Sequence, residues 1–406
     1  MKVLFVATGV FLKGGIERYT RYQYRALQKQ YGVDNVFLAS LLGHSESNSF
    51  EEDIDVHYVQ GGISLKDKVL YLIKCLFLIR ELRIDLVLCN HRQLSIIGYI
   101  ASKIFGVKFI TNVYGLEIWS GMNKVETHAL FKSDMIVGDC NFIIDYIKEH
   151  FEYPSSQIEL LYDAVDIDRF FPKPKNDKLA RKYNIPNNKF IVATIGRLAR
   201  NKGHEIIIRA LKELNDSIIY LIVGGGKMES SLKELCMELN LEDRVIFTGR
   251  VPEDELADCY NIADVIVLLS VFGNNEGEGL PLGLIEASAC GKPIICGNQD
   301  GSVDAISQKA PNGFCIDPSS NAQICTAINA YFQDRQKAEA HGTNGKTYVI
   351  ENFEYGIFEI TIGGLLLIGL HTRIIAFIAA LHLLSITIAV GYNDIAVRDL
   401  GLTLMA

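Results

Sequence analysis

The feature that most constrains this chain is an alternation that it runs through twice. Short apolar stretches rich in β-branched residues alternate with stretches of helical period. In the first half the apolar stretches are Val3–Ala7, Val36–Ala39, Val56–Val59, Leu86–Cys89, Lys108–Asn112, Met135–Val137 and Ile158–Leu161. Helical stretches between them include Glu17–Gln28, Asp67–Leu82 and Ile96–Phe105. After a Pro/Lys-rich joint at Phe171–Lys178 the rhythm restarts, with Phe190–Ile195, Ile218–Val223, Val245–Thr248, Val265–Leu268, Pro293–Cys296 and Gly313–Ile316. Apolar strands joined by crossover helices build parallel sheets covered on both faces. Doing so twice predicts an α/β chain of two doubly wound parallel-sheet domains facing a cleft. The length, 406 residues, is too great for one ordinary core. The expected layout is a first domain over 1–165, a second over 166–345, a final helix over 346–359 and a hydrophobic tail over 360–406. Sheets of this kind bind ligands beyond the carboxyl ends of their strands.

Composition narrows the partners. A net charge of -8 argues against a nucleic-acid surface, which needs a basic face. It leaves room for a small anionic ligand, because a few local cations decide that. With 49% hydrophobic and 22% charged residues the chain is globular. Its nine cysteines form no C-x-x-C pair and no zinc-spaced cluster, and read as buried residues of a reducing cytosol. The opening "MKVLFVATGVFL" has the make-up of a signal peptide, yet "KGGIERY" follows with charge where a cleavage site would need small residues. A first buried strand is the expectation.

Three glycine-rich turns follow expected strands: "KGGIERY" at Lys13–Tyr19, "IGRLARNKGHE" at Ile195–Glu205 and "VGGGKME" at Val223–Glu229. Such a turn opening a helix lets backbone N–H groups approach a phosphate, where the helix dipole favours negative charge. None matches a dinucleotide fingerprint or a complete P-loop. The second adds cations, with Arg197 and Lys202 five apart and Arg200 between them. Taken alone it reads as a solvated basic loop. Further on, "EGEGLPLGLIEASACGKPII" sets Glu278 and Glu286 on either side of a Gly-Leu-Pro turn. Pro281 suits the first turn of a helix that Leu282–Ala289 continues. A carboxylate ahead of a helix can be a simple cap, and one within it a surface charge. An acid pair is also what a polyol needs, since carboxylates accept hydroxyl hydrogen bonds.

The segment "EGLPLGLIEASACGKP" resembles the signature of the retaining glycosyltransferases of family 4, which have the GT-B fold of two Rossmann-like domains. The resemblance extends in order through "GGIERYTRYQYRAL", "VYGLEIW", "DAVDIDRFFP", "IGRLARNKGHE", "VGGG", "VIFTGRVPEDELADCYNIADV" and "GTNGKTYVIENFEY". It implies a sugar-nucleotide donor, a glycan or lipid-linked acceptor, a role in bacterial surface polysaccharide synthesis, and no bound metal or other cofactor. It implies that Arg197 and Lys202 bind the donor diphosphate, Glu286 the ribose hydroxyls and Glu278 the transferred sugar. Gly196, Gly279 and Leu280 join the donor side, and Gly15 brings backbone N–H to the phosphate. Gly14, His91 and Tyr114 fall on the acceptor or sugar side, where His91 has a structural alternative. No Asp-x-Asp directly follows an expected strand. Two departures are visible: Tyr114 stands where the family often has His, and "DAVD" (Asp163–Asp166) where it usually has Asn-Gly-Val-Asp.

"GTNGKT" (Gly342–Thr347) resembles the phosphate loop of Mur ligases, but it follows the helical "DRQKAEAH" instead of a strand and is expected to be helix. The tail resembles a fragment of the small DoxX-like membrane proteins. Its uncharged run Ile374–Val390 spans about 26 Å as a helix, slightly short of a ~30 Å hydrocarbon core. It reads as a membrane hairpin or a fused fragment. Leu65–Leu82 carries Lys and Arg around a wide apolar face, and reads equally as an interfacial helix or as one packed on the first sheet. The expected location is the cytoplasmic face of the inner membrane, peripheral or anchored through the tail. A sugar-nucleotide epimerase and a non-catalytic membrane-associated protein are the alternatives, the first because it shares the two-domain architecture.

Overall fold

The computed structural model describes residues 1–12, 14–43, 54–119, 121–273 and 276–354. The hydrophobic tail at 360–406 and the end of the expected final helix, 355–359, lie outside the described residues, as does Lys13.

Among the described residues, seven strands form the first sheet: β1 Val3–Gly9, β2 Val36–Leu42, β3 Tyr58–Val59, β4 Leu86–Cys89, β5 Lys108–Val113, β6 Met135–Gly138 and β7 Ile158–Leu160. Six form the second: β8 Phe190–Ile195, β9 Ile218–Val223, β10 Val245–Gly249, β11 Val265–Leu268, β12 Ile294–Gly297 and β13 Gly313–Ile316. The orders are β3-β2-β1-β4-β5-β6-β7 and β10-β9-β8-β11-β12-β13. Every pairing between these strands is parallel; Val3, for example, lies opposite Val36 on one side and Leu86 on the other. Each expected apolar stretch is therefore a strand. The least extensive is β3, an edge strand that pairs with β2 through only Ala39–Tyr58 and Ser40–Val59.

The central strands are apolar on both faces because helices cover both. In β1, Val3 to Ala7 are fully buried, which settles the opening stretch as a core strand. In each sheet the strand order reverses at one place, beside β1 in the first and beside β8 in the second. The loops after β1 and β4, and after β8 and β11, border those reversals, where such sheets leave a crevice for ligand. One apolar cluster continues from Val113, Ile118 and Trp119 of the first lobe to Leu280, Leu284 and Ile285 of the second. Trp119 meets Phe272 across the junction, ring centroids 5.3 Å apart.

The last helix among the described residues runs unbroken over Arg335–Asn352 and contains Gly342–Thr347, so the "GTNGKT" segment is helical. Beyond it the chain reaches the first lobe, where the Val165 amide donates to the Phe353 carbonyl at 2.8 Å. Among the described residues no helix is long and apolar enough to cross a membrane.

Candidate functional site

The basic loop after β8 forms one wall. Arg197 is exposed at its rim. Gly203 ends its short 3-10 turn, Arg200–Lys202, at φ 70°. A Cβ there would stand 2.0 Å from the Leu269 carbonyl oxygen, so only glycine lets this loop lie against the end of β11. That packing aims Lys202 at the acid loop: its Nζ is 2.9 Å from Glu278 Oε2, and both side chains are largely buried. Asn201 donates to the other Glu278 oxygen at 2.6 Å. The Glu278 amide donates to Asp300 at 3.1 Å. Glu278 is thus no helix cap; it is held against the basic loop. Pro281 is itself the residue preceding the helix Leu282–Ala289.

Glu286 lies inside that helix and is almost wholly buried. Tyr260 donates to its Oε2 at 2.6 Å. The guanidinium of Arg18, from the first lobe, donates to its Oε1. Arg18 also donates to Glu253 at 3.1 Å. Burial works against the Arg18 charge, but Glu286 and Glu253 more than offset it and its pKa is raised. The Gly14–Gly15 loop opens the helix Gly15–Tyr31 that carries Arg18. A Cβ on Gly15 would lie 3.4 Å from Leu282 Cδ1, so this loop faces the start of the Glu286 helix. Around Gly196, by contrast, a Cβ would meet nothing within 4 Å.

The floor belongs to the first lobe. Tyr114 follows β5, Asp139 follows β6 and Asp163 lies just beyond β7. All are buried. Tyr114 packs edge-on against Tyr19, with centroids 5.7 Å apart. Asn112 faces its phenol, yet neither the Tyr114 hydroxyl nor the Asn112 carbonyl oxygen closes a hydrogen bond among the described residues. Asp139 Oδ1 and Asp163 Oδ1 are also unpartnered among them. Burial pushes both carboxyls well above the usual range: Glu117 adds to the effect on Asp139, and Asp139 to that on Asp163. The second lobe closes directly on this floor. A Cβ on Gly279 would be 2.3 Å from the Tyr114 carbonyl oxygen and 2.9 Å from each Asp139 carboxyl oxygen. The Leu280 amide faces Asp139 and lowers the cost of its ionising.

His91 follows β4 and, like Asp139, feels the charge of Glu117. Its Nδ1 accepts the Gln93 amide at 3.3 Å and caps the turn Arg92–Leu94, and burial lowers its pKa. The structure therefore brings together Lys202, Glu278, Glu286, Gly15, Gly279, Leu280 and Tyr114, with Arg197 and Gly196 at the rim. Sequence reasoning missed Arg18, Asn201, Tyr260, Asp139 and Asp300. Arg18, Asn201 and Tyr260 lay within quoted motifs, and Asp139 was a charged residue directly after an apolar strand. Asp300 gave no local signal.

Comparison with known proteins bears on both lobes. The family model described as Glycosyltransferase Family 4 matches residues 13–169, and that described as Glycosyl transferases group 1 matches 175–348. A GDP-mannose-dependent alpha-(1-6)-phosphatidylinositol monomannoside mannosyltransferase of Mycolicibacterium smegmatis is 27% identical over 64% of this chain and 70% of its own length. The corresponding enzyme for the monoacylated substrate from Corynebacterium glutamicum is 24% identical over 85% of this chain and 92% of its own. Among solved structures, HepE of Anabaena in complex with UDP and glucose superposes with a TM-score of 0.75 at 20% identity, covering 90% of this chain and 99% of that one. This last likeness speaks for the fold.

Proposed function

Since the chain belongs to the glycosyltransferases that join a family 4 first domain to a group 1 second domain, we propose that it moves a sugar, with retention, from a nucleotide-diphosphate sugar to a hydroxyl of a glycan or lipid-linked acceptor. One observation carries the reading. A cation, Lys202, and two acids, Glu278 and Glu286, converge at the carboxyl end of the second sheet, facing the glycine loop of the first lobe. Cations beside a glycine-flanked turn suit a diphosphate, and carboxylates suit the hydroxyls of ribose and sugar. In the proposed reaction the glycosidic C–O bond to the diphosphate stretches first. Arg197 and Lys202 take up the charge developing on the leaving phosphate. The acceptor oxygen bonds to the same face of the anomeric carbon, and its proton passes to the departing phosphate oxygen. Glu278 grips the transferred sugar and Glu286 the ribose. No protein nucleophile takes part, and no metal is required.

Thermal shift against UDP-, GDP- and dTDP-sugars tests the donor. A ligand at one hundred times its Kd adds about 2.7 kcal/mol of stability. NMR of the product then reads the anomeric configuration. Failure of every nucleotide sugar to stabilise the protein, or inversion at the anomeric carbon, sinks the proposal.

The reading includes work at a membrane surface. The helix Leu65–Leu82 buries Tyr71, Cys75, Leu78 and Ile79 against the sheet. It exposes Leu65 (79%), Val69 (47%), Ile73 (57%) and Phe77 (55%) in a row of four-residue steps. Lys66, Lys68 and Arg80 are exposed on the same helix. An apolar stripe among cations suits an anionic leaflet. Flotation with anionic and neutral vesicles checks it: binding should require the anionic lipid and be lost in Ile73→Asp. Equal recovery of wild type and variant removes this part.

A further inference from the structure

The ion pair between Arg18 and Glu286 crosses from one lobe to the other at the point where the donor's nucleoside would lie. We propose that Arg18 is a positioning residue of the donor site: the first lobe's guanidinium holds the second lobe's Glu286 in the orientation that receives a ribose diol, so the nucleoside site is complete only when the lobes meet. The inference rests on the glycosyl-transfer reading above and names a residue that reading does not use.

The geometry carries it in three steps. Both oxygens of Glu286 are engaged, Oε2 by the Tyr260 hydroxyl at 2.6 Å and Oε1 by Arg18. Each carboxylate oxygen has two acceptor sites, so one remains on each for the two hydroxyls of a ribose. Arg18 thus orients Glu286 without consuming it. Second, Arg18 is itself fixed. Its Nη2 donates to Glu253 at 3.1 Å, and Arg169 of the connecting segment donates to the same carboxylate at 2.7 Å. The Arg18 guanidinium lies over the Phe170 ring, 5.8 Å from its centroid. Third, the two helices present matched turns. Gly15 and Arg18 are three apart on one helix, and Leu282 and Glu286 four apart on the other, so each pair shares a face. Gly15 meets Leu282 while Arg18 meets Glu286. The helical turn that offers its backbone to the phosphate therefore also sets the ribose acceptor. Removing one member of a buried charge pair leaves the other without compensation.

An opposite role is distinguishable by sign. If Arg18 plugged the site, removing it would tighten nucleotide binding; a positioning residue predicts weakening. Calorimetric titration of UDP, GDP and inorganic pyrophosphate into wild type, Arg18→Met, Arg18→Lys and Glu253→Gln reads this directly. For the nucleotide that wild type binds, Arg18→Met should weaken Kd by at least about tenfold. Pyrophosphate, which lacks a ribose, should bind within about twofold of wild type, a selectivity that general destabilisation would not produce. Arg18→Lys keeps the charge but loses the fork and should recover part of the loss; it carries the test if the methionine variant does not fold. Glu253→Gln leaves the Glu286 contact in place and should cost less than either. In turnover the loss should appear in donor KM more than in kcat. Wild type that binds no nucleoside diphosphate sinks the transfer reading and this inference with it. Wild type that binds, with both Arg18 variants binding equally well or more tightly, overturns this inference alone.

Discussion

The cleft brings together two pairs of acids, and the lobes build them differently. In the second lobe Glu278 faces Lys202 and Asn201, and Glu286 faces Arg18 and Tyr260. In the first lobe Asp139 and Asp163 make no ion pair among the described residues, and each keeps an unpartnered oxygen. Burial raises the pKa of both; Glu117 adds to the effect on Asp139, and Asp139 to that on Asp163. Like chemistry in unlike surroundings takes unlike roles. Cations suit the second-lobe pair to accept hydroxyl hydrogen bonds. The first-lobe pair favours the protonated state, in which a carboxyl can donate.

The comparison is tested hardest at Lys202. Lys202→Met leaves Glu278 with Asn201 alone and removes a charge from the proposed diphosphate side. We expect kcat/KM to fall by roughly 10²–10³-fold, with Lys202→Arg between the two. Retention of near wild-type turnover in Lys202→Met would mean that the second-lobe acids do not depend on their cation. A smaller effect is expected where the lobes touch. Gly279→Ala puts a methyl 2.3 Å from a backbone oxygen and 2.9 Å from the Asp139 carboxyl. Overpacking a buried contact costs about 1–3 kcal/mol, so steady-state kinetics should show transfer reduced by roughly 10–100-fold. An unchanged rate would show that the two acid pairs need not approach this closely.

How much of this was legible follows from what local sequence encodes. Strands such as Leu86–Cys89 and Val265–Leu268 were readable because burial on both faces demands an unbroken apolar run. The Glu278–Glu286 spacing and the Lys202 loop were readable because the motif is contiguous. Arg18 was not, since on a helix it looks like a solvated charge; only the fold, 268 residues along the chain, supplies Glu286. Asp163 was noticed as a departure in "DAVD", but its coupling to Asp139 arises from adjacent loops after β6 and β7. His91 keeps both of its readings: it follows β4 on the ligand side of the sheet, and one ring nitrogen caps a turn.

The smallest expected effect lies in the pH dependence of stability, and it tests the first-lobe pair directly. Around Asp139 stand Glu117, Asp304, Cys140 and the Leu280 amide; around Asp163 stand Asp139, Arg18, Glu286, Tyr19 and Tyr114. Arg18 favours ionisation of Asp163, but burial and Asp139 outweigh it. An unfolded aspartate titrates near 3.9. Between that value and the raised native values, the folded protein binds more protons than the unfolded chain. Stability contributed by these groups therefore falls as pH rises through that window. Asparagine at either position does not titrate, and at 139 it also relieves Asp163. Thermal melts from about pH 5 to about pH 8 should show Asp139→Asn and Asp163→Asn losing less Tm than wild type as the pH climbs. Parallel curves for wild type and both variants would mean that the first-lobe acids ionise as freely as exposed ones, and the contrast between the two lobes would fall.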